Sequence, residues 1–203
     1  ELYNKAIAID ERKGAYPSFQ KAISYGFVDR NLKKIETLLL LEKQYPKDPL
    51  LDDALYELAS AFSRENKFNQ AIATYNRLLN KFDTSPYKAQ AALNKGLILY
   101  NIERFDLARE VLENVAVTFR RYAVAQQAVR TLREIAVDQG NVQNFSQWVR
   151  SNGLTTFTDI ELEKTAFVAA EKRFLEGNSN AAERLLKEYL ENYPHGIYFI
   201  SAT

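Results

Sequence analysis

Residues 52–86 read DDALYELASAFSRENKFNQAIATYNRLLNKFDTSP, and this stretch decides the fold. Apolar residues in both halves follow the i, i+3, i+4 and i+7 spacing of one helix face. They are Leu55, Leu58, Ala59, Phe62, Ile72, Tyr75, Leu78 and Leu79. The polar pair Asn66-Lys67 separates the two halves, and Asp83-Thr-Ser-Pro86 closes the stretch with a turn signal. The stretch therefore predicts helix A, a tight turn, helix B and a second turn.

The same pattern returns along the chain in steps of 37 residues, as from Ala71 to Ala108. The markers early in each helix B are Lys34, Ala71, Ala108, Phe145 and Ala182. A turn or turn-like residue follows each marker, with the clearest at Pro46, Asp83 and Pro194 and weaker matches at Arg120 and Phe157. Polar or glycine-containing pairs fill the slot between the helices, as in Glu103-Arg104, Gly140-Asn141 and Gly177-Asn178. Equal steps of this kind indicate a repeat protein.

The pattern predicts an all-α fold, because no period-2 alternation is sustained. The predicted helices are 1–9, 16–27, 31–45, 50–65, 68–82, 87–101, 105–119, 123–138, 142–150, 160–175 and 179–193, with a further helix opening at Ile197. We expect a single array over 1–203. Its units are 1–12 (partial), 15–49, 50–86, 87–122, 123–158 (degenerate), 159–196 and 197–203 (the start of the next). Because both ends fall inside a unit and the chain has no Met, we expect a segment of a longer array.

Composition excludes several classes of chemistry. The chain of 203 residues has no Cys, one His and seven Gly, so thiolate sites, multi-histidine metal cages and phosphate-binding glycine loops are not expected. A net charge of +1 gives no electrostatic footprint for nucleic acid. No apolar run is long enough to span a membrane. We therefore predict no catalytic, metal-binding or cofactor-binding residues and no direct membrane insertion.

Two acidic groups could in principle supply acid–base pairs, but each opens a predicted helix. Asp52-Asp53 follows Pro49, and Asp159, Glu161 and Glu163 follow Thr158. Carboxylates are favoured in the first turn of a helix by capping and by the helix dipole, so we interpret both groups as capping residues. The only histidine, His195, is expected to be exposed at the end of a helix.

The units resemble the tetratricopeptide repeat (TPR). The residues that carry the resemblance are Leu55, Leu58, Ala59, Phe62, Ala71, Tyr75 and Leu78 in one unit, Ala92, Gly96, Leu99, Ala108, Leu112 and Val115 in the next, and Ala166, Ala169, Ala170, Ala182, Leu186, Tyr189 and Pro194 in the last. A TPR has 34 residues, and the three additional ones fall in the long turns at 45–49 and 82–86. The resemblance implies a right-handed TPR-like α-solenoid of about five helical hairpins. The long turn is similar to that of Gram-negative envelope TPR proteins such as the outer-membrane assembly lipoprotein and the periplasmic Tol–Pal coordinator.

One unit departs from the pattern. Phe145 stands where helix B otherwise has a small residue, and Trp148 follows closely. We predict a local irregularity over residues 145–159, which is either a bend in a decayed repeat, a specialised surface or a boundary between two sub-arrays.

The resemblance places a ligand groove along the A helices. The groove residues it implies are Phe19, Ile23, Phe27, Tyr56, Ser60, Ser63, Arg64, Leu93, Leu97, Tyr100, Asn101, Gln127, Arg130, Glu134, Phe167, Glu171 and Phe174. Tyr, Arg, Asn and apolar side chains together suit an extended peptide or a partner helix. Asn101 lacks the accompanying lysines of a two-carboxylate clamp, so no such clamp is predicted.

The function we predict is a non-catalytic protein–protein interaction scaffold or adaptor of a bacterial cell envelope, which binds a protein or peptide in the concave groove. We expect a periplasmic or outer-membrane-associated location, with the cytoplasm as the alternative. Truncated ends also allow self-association. Two other functions remain open at this point: a purely structural spacer in a larger protein, and a glycan-binding superhelix.

Overall fold

The computed structural model describes residues 15–154 and 158–203, and within these ranges every regular element is an α-helix. The helices are α1 (Ala15–Phe27), α2 (Asn31–Gln44), α3 (Leu51–Arg64), α4 (Phe68–Lys81), α5 (Lys88–Asn101), α6 (Phe105–Thr118), α7 (Ala123–Gln139), α8 (Val142–Ser151), α9 (Asp159–Leu175), α10 (Ser179–Asn192) and α11 (Phe199–Ala202). The predicted all-α class is confirmed, with helix ends within one or two residues of the predicted ones. The predicted helix 1–9 and the partial unit 1–12 lie outside the described residues.

The chain divides into two compact units. Unit 1 runs to Ile102 and contains α1–α5, and unit 2 begins at Glu103 and contains α6–α11. Successive helices pack side by side within each unit: α1 on α2, α2 on α3 and α3 on α4 in the first, and α7 on α8 and α9 on α10 in the second.

The period of 37 residues sets where each B helix begins. The first residues of these helices are Asn31, Phe68, Phe105, Val142 and Ser179. Two positions earlier each hairpin has a residue with positive φ, namely Asp29 (55°), Asn66 (55°), Glu103 (58°), Gly140 (65°) and Gly177 (76°). This left-handed residue lets the next N–H return to a carbonyl of helix A, as in the 2.9 Å bond from Lys67 N to Phe62 O. The predicted A–B turns are therefore confirmed.

The core of unit 1 consists of the helix faces that the sequence pattern predicts. Leu38, Leu58, Tyr75 and Leu78 are fully buried in one cluster that spans α1 to α5. The aromatic residues that end two B helices, Tyr45 and Phe82, pack against this cluster, as expected of residues that join adjacent hairpins.

Lys34 stands at the small-residue position of the first hairpin and is nevertheless buried. Its stem runs alongside Gly26 of α1, where an added Cβ would lie 3.3 Å from Lys34 Cδ. Its ammonium reaches Glu57 of α3 at 2.5 Å. A glycine on one helix and a carboxylate on the next hairpin thus accommodate a long cation where three of the other hairpins use alanine.

The predicted irregularity of the fourth hairpin is present in its described part. Phe145 is buried and its ring stacks with Trp148 at a centroid distance of 6.4 Å. Helix α8 has 10 residues, whereas α4, α6 and α10 have 14. One repeat position explains the early end of α8. In the other hairpins this position holds a buried apolar or aromatic residue, namely Leu41, Leu78, Val115 or Tyr189, whereas in this hairpin it holds Asn152. Asn152 instead caps the helix, donating from Nδ2 to Trp148 O at 2.9 Å. Residues 155–157 of the predicted region lie outside the described residues.

The left-handed turn residues give a stability prediction. Nothing lies within 4 Å of a Cβ added at Gly177, so Gly177→Ala should cost only the backbone strain of positive φ, about 1 kcal/mol of unfolding free energy. Glu103 already bears that strain, so Glu103→Gly should stabilise by about 0.5–1 kcal/mol. Urea unfolding followed by the fluorescence of the only Trp, Trp148, measures both. If both variants changed the free energy of unfolding in the same direction, this assignment of the turns would be contradicted.

Candidate functional site

An aromatic and amide surface forms where α3 and α5 meet in unit 1. Tyr56 of α3 stacks on Tyr87, the residue just before α5, with ring centroids 4.6 Å apart and planes at 20°. The buried Tyr75 of α4 lies beneath, with its ring 6.2 Å from that of Tyr56. Tyr56 and Tyr87 remain half-buried, so part of this stack faces solvent. We call Tyr56, Ser60, Tyr87, Gln90 and Asn94 the α3/α5 face.

Hydrogen bonds fix the side chains of this face. The Tyr75 hydroxyl accepts from Asn94 Nδ2 at 3.1 Å and lies 3.2 Å from Ser60 Oγ. The Asn94 side-chain oxygen in turn accepts from Gln90 Nε2 at 2.9 Å. Because Asn94 is held from both sides, Gln90 is presented with its own carbonyl oxygen still available.

A carboxylate orients the outer ring of the stack. The Tyr87 hydroxyl donates to Asp53 Oδ1 at 2.6 Å, and this bond, helped by burial, raises the pKa of Tyr87 to about 12. Burial likewise raises the pKa of Tyr75 above its usual value. Both phenols are therefore neutral hydrogen-bonding groups at physiological pH.

The predicted groove residues are distributed over both units. Phe19, Phe27, Tyr56, Ser63, Arg64, Tyr100 and Asn101 lie in unit 1, and Arg130, Phe167 and Phe174 lie in unit 2. Phe27 and Phe174 are exposed, and so are Arg64, Asn101 and Arg130. Phe19 packs with Tyr56 against the unit 1 core. The groove assignment of these ten residues stays a prediction.

Two sequence-based assignments in this region are wrong. Leu93 was expected in the groove, but it is fully buried because its side of α5 faces the interior. Asp53 lies in the first turn of α3 as expected, yet it makes no side-chain cap and holds the Tyr87 hydroxyl instead. Sequence reasoning also missed Tyr87, Gln90 and Asn94, whose only signal is that Gln90 and Asn94 are polar residues one turn apart on a helix A.

Unit 2 repeats the aromatic stack with different support. Phe167 of α9 stacks on Tyr198, with ring centroids 4.6 Å apart and planes at 8°. Phe167 and Tyr198 occupy the repeat positions of Tyr56 and Tyr87. Below them Tyr189 donates to Glu163 at 2.7 Å, and Glu163 also accepts from Ile197 N at 2.5 Å.

Glu163 is therefore a buried acceptor and not a capping residue, which corrects the interpretation of the second acidic group. The capping expected of that group is carried out by Glu161, which forms a reciprocal capping box with Thr158. Asp159 instead pairs with Arg150 at 2.9 Å. His195 is exposed, as predicted.

The turns before three of the A helices each have a backbone N–H at the same repeat position, and a different side chain accepts its hydrogen bond in each turn. Leu50 N donates to Asp48 at 2.9 Å and Tyr87 N donates to Ser85 at 3.2 Å. At the equivalent place Tyr198 N donates to the Tyr189 hydroxyl at 3.0 Å, because the residue matching Asp48 and Ser85 is Gly196. The missing side chain leaves the room that Tyr189 and Glu163 occupy.

Residues 15–154 and 158–203 contain neither a metal-ion cluster nor a membrane-spanning helix. They contain no group of three or more His, Asp or Glu side chains placed to hold a metal ion. None of the helices described there combines the length and the apolar character needed to cross a bilayer.

Residues 53–85 match the family model of the tetratricopeptide repeat. No curated protein matches the chain. Solved structures that are similar include a tetratricopeptide repeat protein from Parabacteroides merdae (14% identity, TM-score 0.61, covering 89% of this chain and 67% of that one). YrrB, described as a TPR protein with an unusual peptide-binding site, is 14% identical with a TM-score of 0.60, covering 100% of this chain and 97% of its own. MamA from Desulfovibrio magneticus RS-1 is 15% identical with a TM-score of 0.58, covering 87% and 93%.

These likenesses show the fold, an array of TPR-like helical hairpins, and residues 53–85 are the repeat that the family model matches. The match begins at Asp53 and ends at Ser85, so it covers α3, α4 and the turn after α4. Tyr56, Ser60 and Tyr75 of the α3/α5 face and its core belong to this matched repeat.

Gly196 gives a prediction on the support of the second stack. A Cβ at this position would lie 2.5 Å from Glu163 Oε1 and overlap the Tyr189 hydroxyl. Gly196→Ala should lower the free energy of unfolding by about 3 kcal/mol, because the clash also breaks buried hydrogen bonds. Gly177→Ala is the matched control, and an equal loss in both variants would contradict the close packing.

Tyr189 gives a prediction for alkaline pH. Burial and the bond to Glu163 raise the pKa of Tyr189 to about 12. Its neutral form stabilises the fold fully below the ordinary tyrosine pKa of about 10, and that contribution is lost as pH rises towards 12. The urea midpoint should therefore fall between pH 10 and 12. Tyr189→Phe should be less stable at pH 8 and lose less over this range, and parallel losses would refute the role of Tyr189.

Proposed function

We propose that this chain is a non-catalytic scaffold that binds an extended segment of a partner protein on the α3/α5 face. The observation that carries the proposal is the stacked pair Tyr56–Tyr87 with Gln90 and Asn94 beside it. Rigid aromatic rings supply contact area at small entropic cost, and carboxamides match the donors and acceptors of a peptide backbone.

The surrounding contacts support a prearranged surface. Asp53, Tyr75 and Ser60 hold the rings and the Asn94 carboxamide in place, so little ordering is needed when a partner binds. The fold supports the same class of function, since repeat arrays commonly bind partners along a continuous face, and YrrB of similar fold is described as having a peptide-binding site.

We further propose that the protein works in a bacterial cell envelope, in the periplasm or at the outer membrane. The support is the long Pro-containing turn between units, which is similar to that of envelope TPR proteins. Fractionation of the source cells with an antibody against this chain tests the location, and recovery with the cytoplasmic fraction would refute it.

The binding proposal is tested with peptides selected from a random 12-residue library displayed on phage. A selected peptide should shift the amide and side-chain NMR signals of Tyr56, Gln90 and Asn94. The double variant Gln90→Ala/Asn94→Ala should weaken that peptide at least about ten-fold, because it removes both carboxamides of the α3/α5 face.

The matched control is Asn69→Ala/Gln70→Ala, which removes two exposed carboxamides from α4 of the same unit. It should leave the affinity unchanged. If no selected peptide shifts the α3/α5 face, or if both double variants bind equally, the proposal is wrong.

A further inference from the structure

A cleft of about 590 Å³ lies between α8 and α10 in unit 2, on the side of the B helices. Its volume falls within the range of about 300–1,000 Å³ that is usual for ligand sites. One end is lined by Ser151 and Tyr193, where α8 stops a turn earlier than the other B helices. The cleft therefore reaches the end of the shortened helix α8.

The α8 wall of the cleft carries two free carboxamides in a row. Gln143 and Gln147 are exposed, line the cleft and bond to no described group. They lie one helical turn apart, which is about 6 Å along the axis. In an extended peptide, the N–H and C=O groups of every second residue point to the same side of the chain, and these residues are about 6.6 Å apart. The spacing of the two carboxamides thus matches that of successive same-side peptide groups.

The α10 wall has the same spacing. Glu188 and Asn192 line the cleft one turn apart. Asn192 Nδ2 donates to the backbone oxygen of Glu188 at 2.7 Å. The side-chain oxygen of Asn192 takes no part in that bond and remains available as an acceptor. The cleft is thus walled on both sides by polar groups at the period of an extended backbone.

The floor holds one polar residue among apolar ones. Ser146 is only 5% exposed, lines the cleft and bonds to no described group. Beside it Val142 and Leu185 are buried and apolar. Its hydroxyl is open to the cleft, so a ligand that enters can bond to Ser146 without displacing another partner.

The charges at the cleft are already neutralised. Arg150 pairs with Asp159 at 2.9 Å, and Glu188 pairs with Arg184 at 2.6 Å. A charged ligand would have to compete with these pairs, whereas an uncharged one would not.

From these contacts we propose a second binding site, which takes an uncharged, extended peptide segment of about four residues between α8 and α10. The lining residues extend about 12 Å along α8, from Gln143 to Ser151, which is the length of about four extended residues. The carboxamides bind the peptide backbone, Ser146 bonds to one peptide group, and a small apolar side chain rests on Val142 and Leu185. The site goes beyond the α3/α5 face and depends on none of its contacts.

The probe is a positional-scanning library of uncharged hexapeptides, acetylated and amidated at their ends, added to the isotopically labelled chain. We expect NMR shifts at Gln143, Gln147, Ser146 and Asn192. Gln143→Ala/Gln147→Ala should weaken the best peptide at least ten-fold. The matched control Gln70→Ala/Gln126→Ala, which removes two exposed glutamines outside the cleft, should bind as the unmodified chain does.

Three results would overturn the site: no peptide that shifts the cleft, equal binding by the two glutamine double variants, or shifts of the cleft with tri-N-acetylchitotriose and with no peptide. Peptide shifts confined to the α3/α5 face would refute this site and leave the function proposed for that face standing. Peptide shifts confined to the cleft would support this site and refute the function proposed for the α3/α5 face.

Discussion

Everything in this structure depends on how closely helix A and helix B of a hairpin approach each other. Small residues allow that approach: Ala59 and Ala71 are both completely buried in the α3–α4 hairpin, as are Ala170 and Ala182 in the α9–α10 hairpin. When two helices pack this closely, little variation is possible along the hairpin. Each hairpin then has its left-handed turn residue, the start of its helix B and its apolar face at the same repeat positions. This is why the chain repeats its turn residues and helix starts in one step of 37 residues.

Departures from the small-residue rule create the individual features of each hairpin. Lys34 is tolerated because Gly26 makes room for its stem and Glu57 takes its charge. Phe145 is tolerated in a hairpin whose B helix is short and ends at Ser151. The end of that short helix, at Arg150 and Ser151, lines the cleft beside α8, so the departure from the repeat pattern lies next to an open space with polar walls.

The helices and their register were predictable, whereas the site was predictable only in part. Apolar spacing and turn residues are local signals, so they located α3 and α4 and their turn directly. The α3/α5 face depends on contacts between side chains far apart in the chain, such as Tyr56 with Tyr87 and Asn94 with Tyr75. Glu163 shows the limit most clearly: its position in the first turn of α9 indicates a cap, and only the approach of Tyr189 and Gly196 makes it a buried acceptor.

The most direct test of the close-approach constraint is to enlarge one small residue in the matched repeat. Ala71→Leu should lower the free energy of unfolding by about 1–3 kcal/mol in a urea titration, because the extra carbons have no space between α3 and α4. Ala73→Leu, on the exposed side of the same helix, should change it by less than about 0.5 kcal/mol. Equal stability of the two variants would contradict the account.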